Sequence, residues 1–145
     1  MYDDILLPTD GSEGTSTVAE HVGSLARRYD ATVHALSVVD MRNRFEGPNM
    51  GLGTETWEDA ERERAERAVG DAAGAVPDGV AVERHVESGV PHAELLEYAE
   101  AADVDLIVMG THGRTGIDHY LIGSIAERVV RQSPVPVLTV RITEE

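Results

Sequence analysis

The sequence predicts an α/β fold: a five-stranded parallel sheet with helices on both faces. Three observations carry this. Short apolar runs alternate with segments of helical periodicity along the 145 residues. Each connection between successive runs is long enough to hold a crossover helix, as parallel pairing requires. One run, Val104-Asp105-Leu106-Ile107-Val108-Met109-Gly110, is nearly continuous in apolar residues, as a strand covered on both faces must be.

Asp4-Ile5-Leu6-Leu7-Pro8 reads as the first strand, closed by the turn and capping residues Thr9-Asp10-Gly11-Ser12. Val18, Val22, Leu25, Ala26 and Tyr29 then recur at helical spacing, which predicts a helix from about Ser16 to Arg28. Ala31 to Val39 is rich in β-branched and apolar residues and forms the second strand. From Met41 to Thr56 the chain carries Gly47-Pro48-Asn49, Gly51 and Gly53 without periodicity, a long loop that serves either as plain surface or as a lid over a ligand. Trp57 to about Ala75 alternates in charge, with Glu58 and Arg62, and Glu63 and Arg67, at the spacing that supports a solvated helix.

Val80, Val82 and Val86 alternate with Glu83, His85 and Glu87, the pattern of a strand buried on one side and placed at a sheet edge. Pro91 can start the next helix, whose apolar face is Leu95, Leu96, Ala99 and Ala102. After the strand ending at Gly110, a glycine-rich stretch leads into a helix that begins near Ser124 and is expected to bury Ile125, Ala126, Val129 and Val130. Ser133-Pro134 ends it ahead of the last strand, Val135 to Ile142.

Composition bounds the function. A length of 145 residues and 41% hydrophobic content predict one folded domain over residues 1–145. There are no cysteines, which excludes disulfides, thiolate metal sites and thiol nucleophiles. Met1-Tyr2-Asp3-Asp4 is acidic where a secretion signal would be basic, and no apolar run approaches a membrane span, so a cytoplasmic location without membrane contact is expected. Formal net charge is -15 and no lysine occurs, so such a surface should repel nucleic acid. Dense carboxylates without lysine suit a cytoplasm of very high salt and point to a halophilic source, with an ordinary acidic protein as the alternative.

Chemistry concentrates between Met109 and Ser124. Gly110, Gly113 and Gly123 let backbone approach an oxyanion closely, and the helix that starts at Ser124 offers free N–H groups and a hydroxyl. Strand, glycine loop and helix in that order are the context a phosphate loop needs. The same glycines also serve tight turns between packed elements. Ligands of open parallel sheets sit beyond the carboxyl ends of the strands, so Pro8, Thr9 and Asp10 should face Gly110. Asp10 is read equally as a turn or cap residue and as a nucleotide contact. Arg114 can neutralise phosphate or pair with an acid. His112 and His119 lack the helical or hairpin spacing of metal ligands, and are read as solvated or phosphate-adjacent.

Gly110-x2-Gly113-x9-Gly123-Ser124, with Leu7-Pro8-Thr9-Asp10-Gly11-Ser12 at the first strand and Ser133-Pro134-Val135-Pro136-Val137-Leu138 at the last, resembles the universal stress protein family in its ATP-binding branch, over the whole chain. The resemblance implies strand order 3-2-1-4-5 and ATP across the ends of strands one, two and four. Carried over by position, Pro8, Thr9, Asp10 and Val38 line the adenine and ribose side. Gly110, Gly113, Gly123, Ser124 and Ile125 hold ribose and phosphates, and Met109, His112 and Arg114 complete the candidate nucleotide-binding set. It also implies a homodimer through the last strand, where Val135, Val137, Leu138 and Val140 give an apolar edge. Mg2+ is expected with ATP, because that ion binds through substrate phosphates and few protein ligands.

The expected function is an ATP-binding stress-response regulator. A slow nucleotide hydrolase is the alternative, with Asp10 or His112 activating water, although the chain lacks G-x-x-x-x-G-K-[ST] and any lysine to complete it. An interaction module that binds no nucleotide is the third reading.

Overall fold

Ile5, Leu6 and Leu7 are all sealed from solvent, which puts β1 (Asp4–Pro8) inside a sheet covered on both sides. The computed structural model describes residues 1–12, 14–43, 54–111 and 124–142. After β1 come α1 (Thr15–Tyr29), β2 (Thr32–Asp40), a 3-10 turn at Met41–Asn43, α2 (Thr54–Ala75), β3 (Val82–Gly89), α3 (Pro91–Ala101), β4 (Leu106–Gly110), α4 (Ser124–Gln132) and β5 (Val137–Val140). The strands form one parallel sheet in the order β3-β2-β1-β4-β5, as the resemblance implies.

The period-two alternation of strand side chains sorts the core onto two faces. Ile5, Leu7, Val33, Ala35 and Val108 point to the layer of α1 and α2, where Val18, Val22, Val69 and Ala72 meet them. Leu6, Leu36, Ile107 and Met109 point the other way, to Leu95 and Ala99 of α3 and Ala126 and Val129 of α4. β3 lies at an edge and carries the exposed Glu83 and Arg84, as its alternating sequence requires.

Several boundaries and burials differ from the sequence expectation. α2 begins at Thr54, so residues 54–56 are helix rather than loop. Thr54, Glu55 and Thr56 include no apolar residue, so periodicity has nothing to detect ahead of Trp57. Among the described residues of α2 the ion pair is Glu61 with Arg64 (3.3 Å), and Arg62 donates to Ser88 Oγ on β3 (3.1 Å). β4 starts at Leu106 rather than Val104, and Asp105 just before it ties down the start of β1: its carboxylate accepts from the backbone N–H of Asp3 at 2.8 Å, and its own N–H donates to the Asp4 carbonyl at 2.9 Å. Val135 precedes β5, where Ser133 Oγ donates to its carbonyl and accepts from its N–H, a turn that delays the strand to Val137. Ile125 and Val130 are exposed, at 37% and 44%, and Ala126 and Val129 alone fill the buried stripe of α4. A nine-residue helix at the sheet margin has less sheet beneath it than its apolar arc can cover.

One polar group interrupts the α3 face. His34 on β2 is 5% exposed, with Nδ1 2.8 Å from the Tyr98 hydroxyl and Nε2 2.9 Å from Asp4 Oδ1. Burial, followed by the charges of Glu83, Glu87 and Asp4, pushes the Tyr98 hydroxyl up to about 12.

Candidate functional site

A cleft of about 540 Å3 opens beyond the carboxyl ends of β1, β2 and β4. It lies where strand order reverses: β1 leads into α1 on one face of the sheet, and β4 leads to α4 on the other. Neighbouring strands whose connections depart to opposite faces leave a crevice between them. Its volume is in the range of small-molecule sites.

Pro8, Thr9, Asp10, Val38, Met109, Gly110, Ser124 and Ile125 all line this cleft. His112, Gly113, Arg114 and Gly123 lie outside the described residues. Pro8 and Thr9 arrive through the pairing of β1 with β2, and Thr9 N–H extends it by donating to the Leu36 carbonyl at 2.9 Å. Asp10 Oδ1 accepts the Ser12 N–H at 2.9 Å, and so holds the turn out of β1. The N-cap of α1 is Gly14 (φ 93°), so the turn role of Asp10 stands and the cap role does not. The Asp10 side chain remains exposed at the cleft rim.

Leu7, Leu36, Val38 and Met109 give the cleft an apolar floor, suited to a flat ring system. Ser124 stands at the first turn of α4, whose N–H groups and dipole favour an anion. The far wall was not anticipated. Ala65 and Ala68 of α2 line the cleft together with Glu61 and Arg64, whereas the alternating charges of this helix point only to a solvated face. The signal was present in the run Ala65, Ala68, Ala72 at three- and four-residue spacing, buried at 6, 3 and 0%. Arg64 is the cationic side chain among the described residues of the lining.

Ser37 and Asp40 were also missed. Asp40 accepts from Arg42 three times: from Nη2 at 2.7 Å, from Nε at 2.9 Å and from the backbone N–H at 3.0 Å. The Arg42 side chain foremost holds this carboxyl below its ordinary value, against the opposing effect of burial. Asp40 is therefore an ionised, neutralised wall of the cleft, and Asp10 is the more exposed of these two carboxylates.

The Universal stress protein family profile matches residues 1–141. The chain belongs to the universal stress protein family. The universal stress protein MJ0531 of Methanocaldococcus jannaschii is 38% identical over 146 residues, covering 97% of this chain and 83% of that one. MJ0577 of the same organism is 31% identical, and its solved structure superposes with a TM-score of 0.86 over 100% of this chain and 99% of its own. A universal stress protein solved in complex with cAMP has the same fold, with a TM-score of 0.66, 24% identity and 97% of each chain covered. The fold described above is thus that of solved universal stress proteins. Among the described residues no helix is long and apolar enough to cross a membrane.

Proposed function

We propose that this universal stress protein binds ATP, accompanied by Mg2+, in the cleft at the ends of β1, β2 and β4, and that occupancy regulates its conformation or partner binding in the stress response of the cytoplasm. The observation that carries the reading is convergence. Residues far apart in sequence, from Pro8 to Ile125, meet around one cleft of about 540 Å3 that ends at the N-terminus of α4. The base and ribose lie against Val38 and the Pro8–Asp10 turn. The phosphates run toward Gly110 and Ser124, and the reading assigns Gly113, Arg114, Gly123 and His112, which lie outside the described residues, to the same ligand as the sequence resemblance implies. The cAMP complex of a protein of this fold supports an adenine nucleotide as the ligand class. Mg2+ offsets the field that a net charge of -15 sets against a polyphosphate.

The test is calorimetric titration of nucleotide-stripped protein with Mg-ATP in molar KCl, beside a Gly113→Val control. Saturable binding at one site, lost in the control, is expected. No binding to the parent protein would leave a regulator that acts through protein contacts alone.

The same reading pairs two copies through β5. That strand closes one edge of the sheet with Leu138 39% exposed, and α4 beside it exposes Ile125 and Val130. Light scattering in molar salt is expected to give twice the 15.6 kDa chain mass. A monomer mass would remove the dimer from the proposal.

A further inference from the structure

The polar cluster on the α3 face lies away from the nucleotide cleft, toward the start of the strands. His34 is the third residue of β2 and pairs in register with Glu83 of β3, while His85 follows two residues along the same face. His34 Nδ1 and His85 Nε2 lie 4.0 and 3.2 Å from the same oxygen, Glu83 Oε1. The ligand atoms of all three residues lie within 4.8 Å of one another. Ligands of a tetrahedral ion with bonds of about 2.0–2.1 Å stand roughly 3.3 Å apart, so small side-chain rotations close this set.

The surroundings of His34 prepare it for such a role. Nε2 meets Asp4 Oδ1 at 2.9 Å, and the bond is best made when the ring donates its proton to the carboxylate. That tautomer leaves the Nδ1 lone pair facing Tyr98, Glu83 and His85. A carboxylate that accepts from the far nitrogen is the usual support of a metal-bound imidazole, because it fixes the tautomer and raises ring basicity. The Tyr98 hydroxyl, 2.8 Å from Nδ1, stands on the side where an ion would coordinate and would turn aside to admit it. His34 is sealed in the sheet, whereas the side chains of Glu83 and His85 are 57% and 35% exposed, which opens a path for the ion and a position for water.

We propose that His34, Glu83 and His85 form a site for a divalent ion of the zinc class, with Asp4 as its supporting carboxylate. Two imidazoles and one carboxylate suit zinc or cobalt better than magnesium, which prefers oxygen ligands. The ion would join β2 to the edge strand β3 beneath α3, and thereby tie down the sheet margin opposite β5.

The test uses the full chain, stripped of metal and nucleotide. One equivalent of Co2+ is expected to bind with the visible absorption of a low-coordinate site, to be displaced by Zn2+, and to persist in a tenfold excess of Mg2+. Glu83→Gln and His85→Gln, both partly exposed positions, are expected to weaken Co2+ binding at least tenfold with an unchanged circular dichroism spectrum. His21→Gln and His92→Gln are expected to leave binding as in the parent. Equal binding in the parent and in both cluster variants would place the ion on dispersed carboxylates or other histidines and overturn the site, as would the absence of saturable binding. Because nucleotide is absent throughout, failure here leaves the ATP reading standing, and failure of the ATP titration leaves this site standing.

Discussion

The unfolding midpoint is expected to rise by roughly 10 °C between 0.1 M and 1 M KCl, an increment that follows from the charge ledger. The chain has 27 acidic and 12 basic side chains, so even complete pairing leaves 12 − 27 = -15. Among the described residues the arginine–carboxylate pairs are Asp40 with Arg42, Glu61 with Arg64, and Glu127 with Arg131, all close in sequence and therefore present in part in the unfolded chain. What remains is self-repulsion in a body with a radius of gyration of roughly 15 Å, and this repulsion is larger than in the expanded chain. As the screening length falls from about 10 Å to about 3 Å, this difference shrinks by a few kcal/mol in favour of the folded state. At roughly 2–4 °C per kcal/mol for a chain near this size, the midpoint moves by the amount stated. Chloride is the right anion for the test, since sulfate would add general stabilisation by exclusion from the surface. Equal midpoints at the two salt concentrations would sink both the electrostatic argument and the proposed halophilic origin.

The sequence was a good guide wherever local pattern and tertiary environment agree. Ile5-Leu6-Leu7 and Leu106-Ile107-Val108 carry no polar face, and a strand with no polar face has to be interior. Val82 to Val86 alternates, and an alternating strand has to lie where one side reaches water. Pattern alone fails where burial depends on what lies opposite. The apolar arc of α4 gives no clue that the sheet ends beneath it, so Ile125 and Val130 were expected inside and lie outside. The same limit applies to the cleft. Pro8 to Asp10, Val38, Gly110 and Ser124 lie at or near strand ends and helix starts, and the geometry of parallel sheets places such residues at the crevice. Arg64, Glu61 and Ala68 reach it from the middle of a long helix, and only the packing of α2 across β2 brings them there. The cluster around His34 was likewise hidden, because its members come from β1, β2, β3 and α3 and no single stretch of chain carries the pattern.

Gly110→Val is expected to destabilise the protein by about 1–3 kcal/mol, as overpacking of a filled site does, and the structure identifies the residue responsible. A Cβ at Gly110 would run into Ile142 Cδ1 and stand 3.5 Å from Val18 Cγ2. Ile142 is also close to Gly14, whose φ of 93° already favours glycine and whose Cβ would come within 2.6 Å of Ile142 Cγ2. Ile142, just past β5, thus sits between the end of β4 and the start of α1, and both neighbours are glycine to admit it. Packing alone accounts for Gly110, so its assignment to the nucleotide has to be separated from this role. The double variant Gly110→Val with Ile142→Ala makes the separation, because neighbours that compete for one volume are not additive. Denaturant unfolding is expected to show Ile142→Ala costing less in the Gly110→Val background than in the parent. Mg-ATP affinity in the double variant is expected to stay at least tenfold down, because a side chain at Gly110 also lies at the wall where the phosphates are proposed to run. Recovery of both stability and affinity would make Gly110 a packing residue, and would shift the phosphate contacts to Ser124 and the first turn of α4.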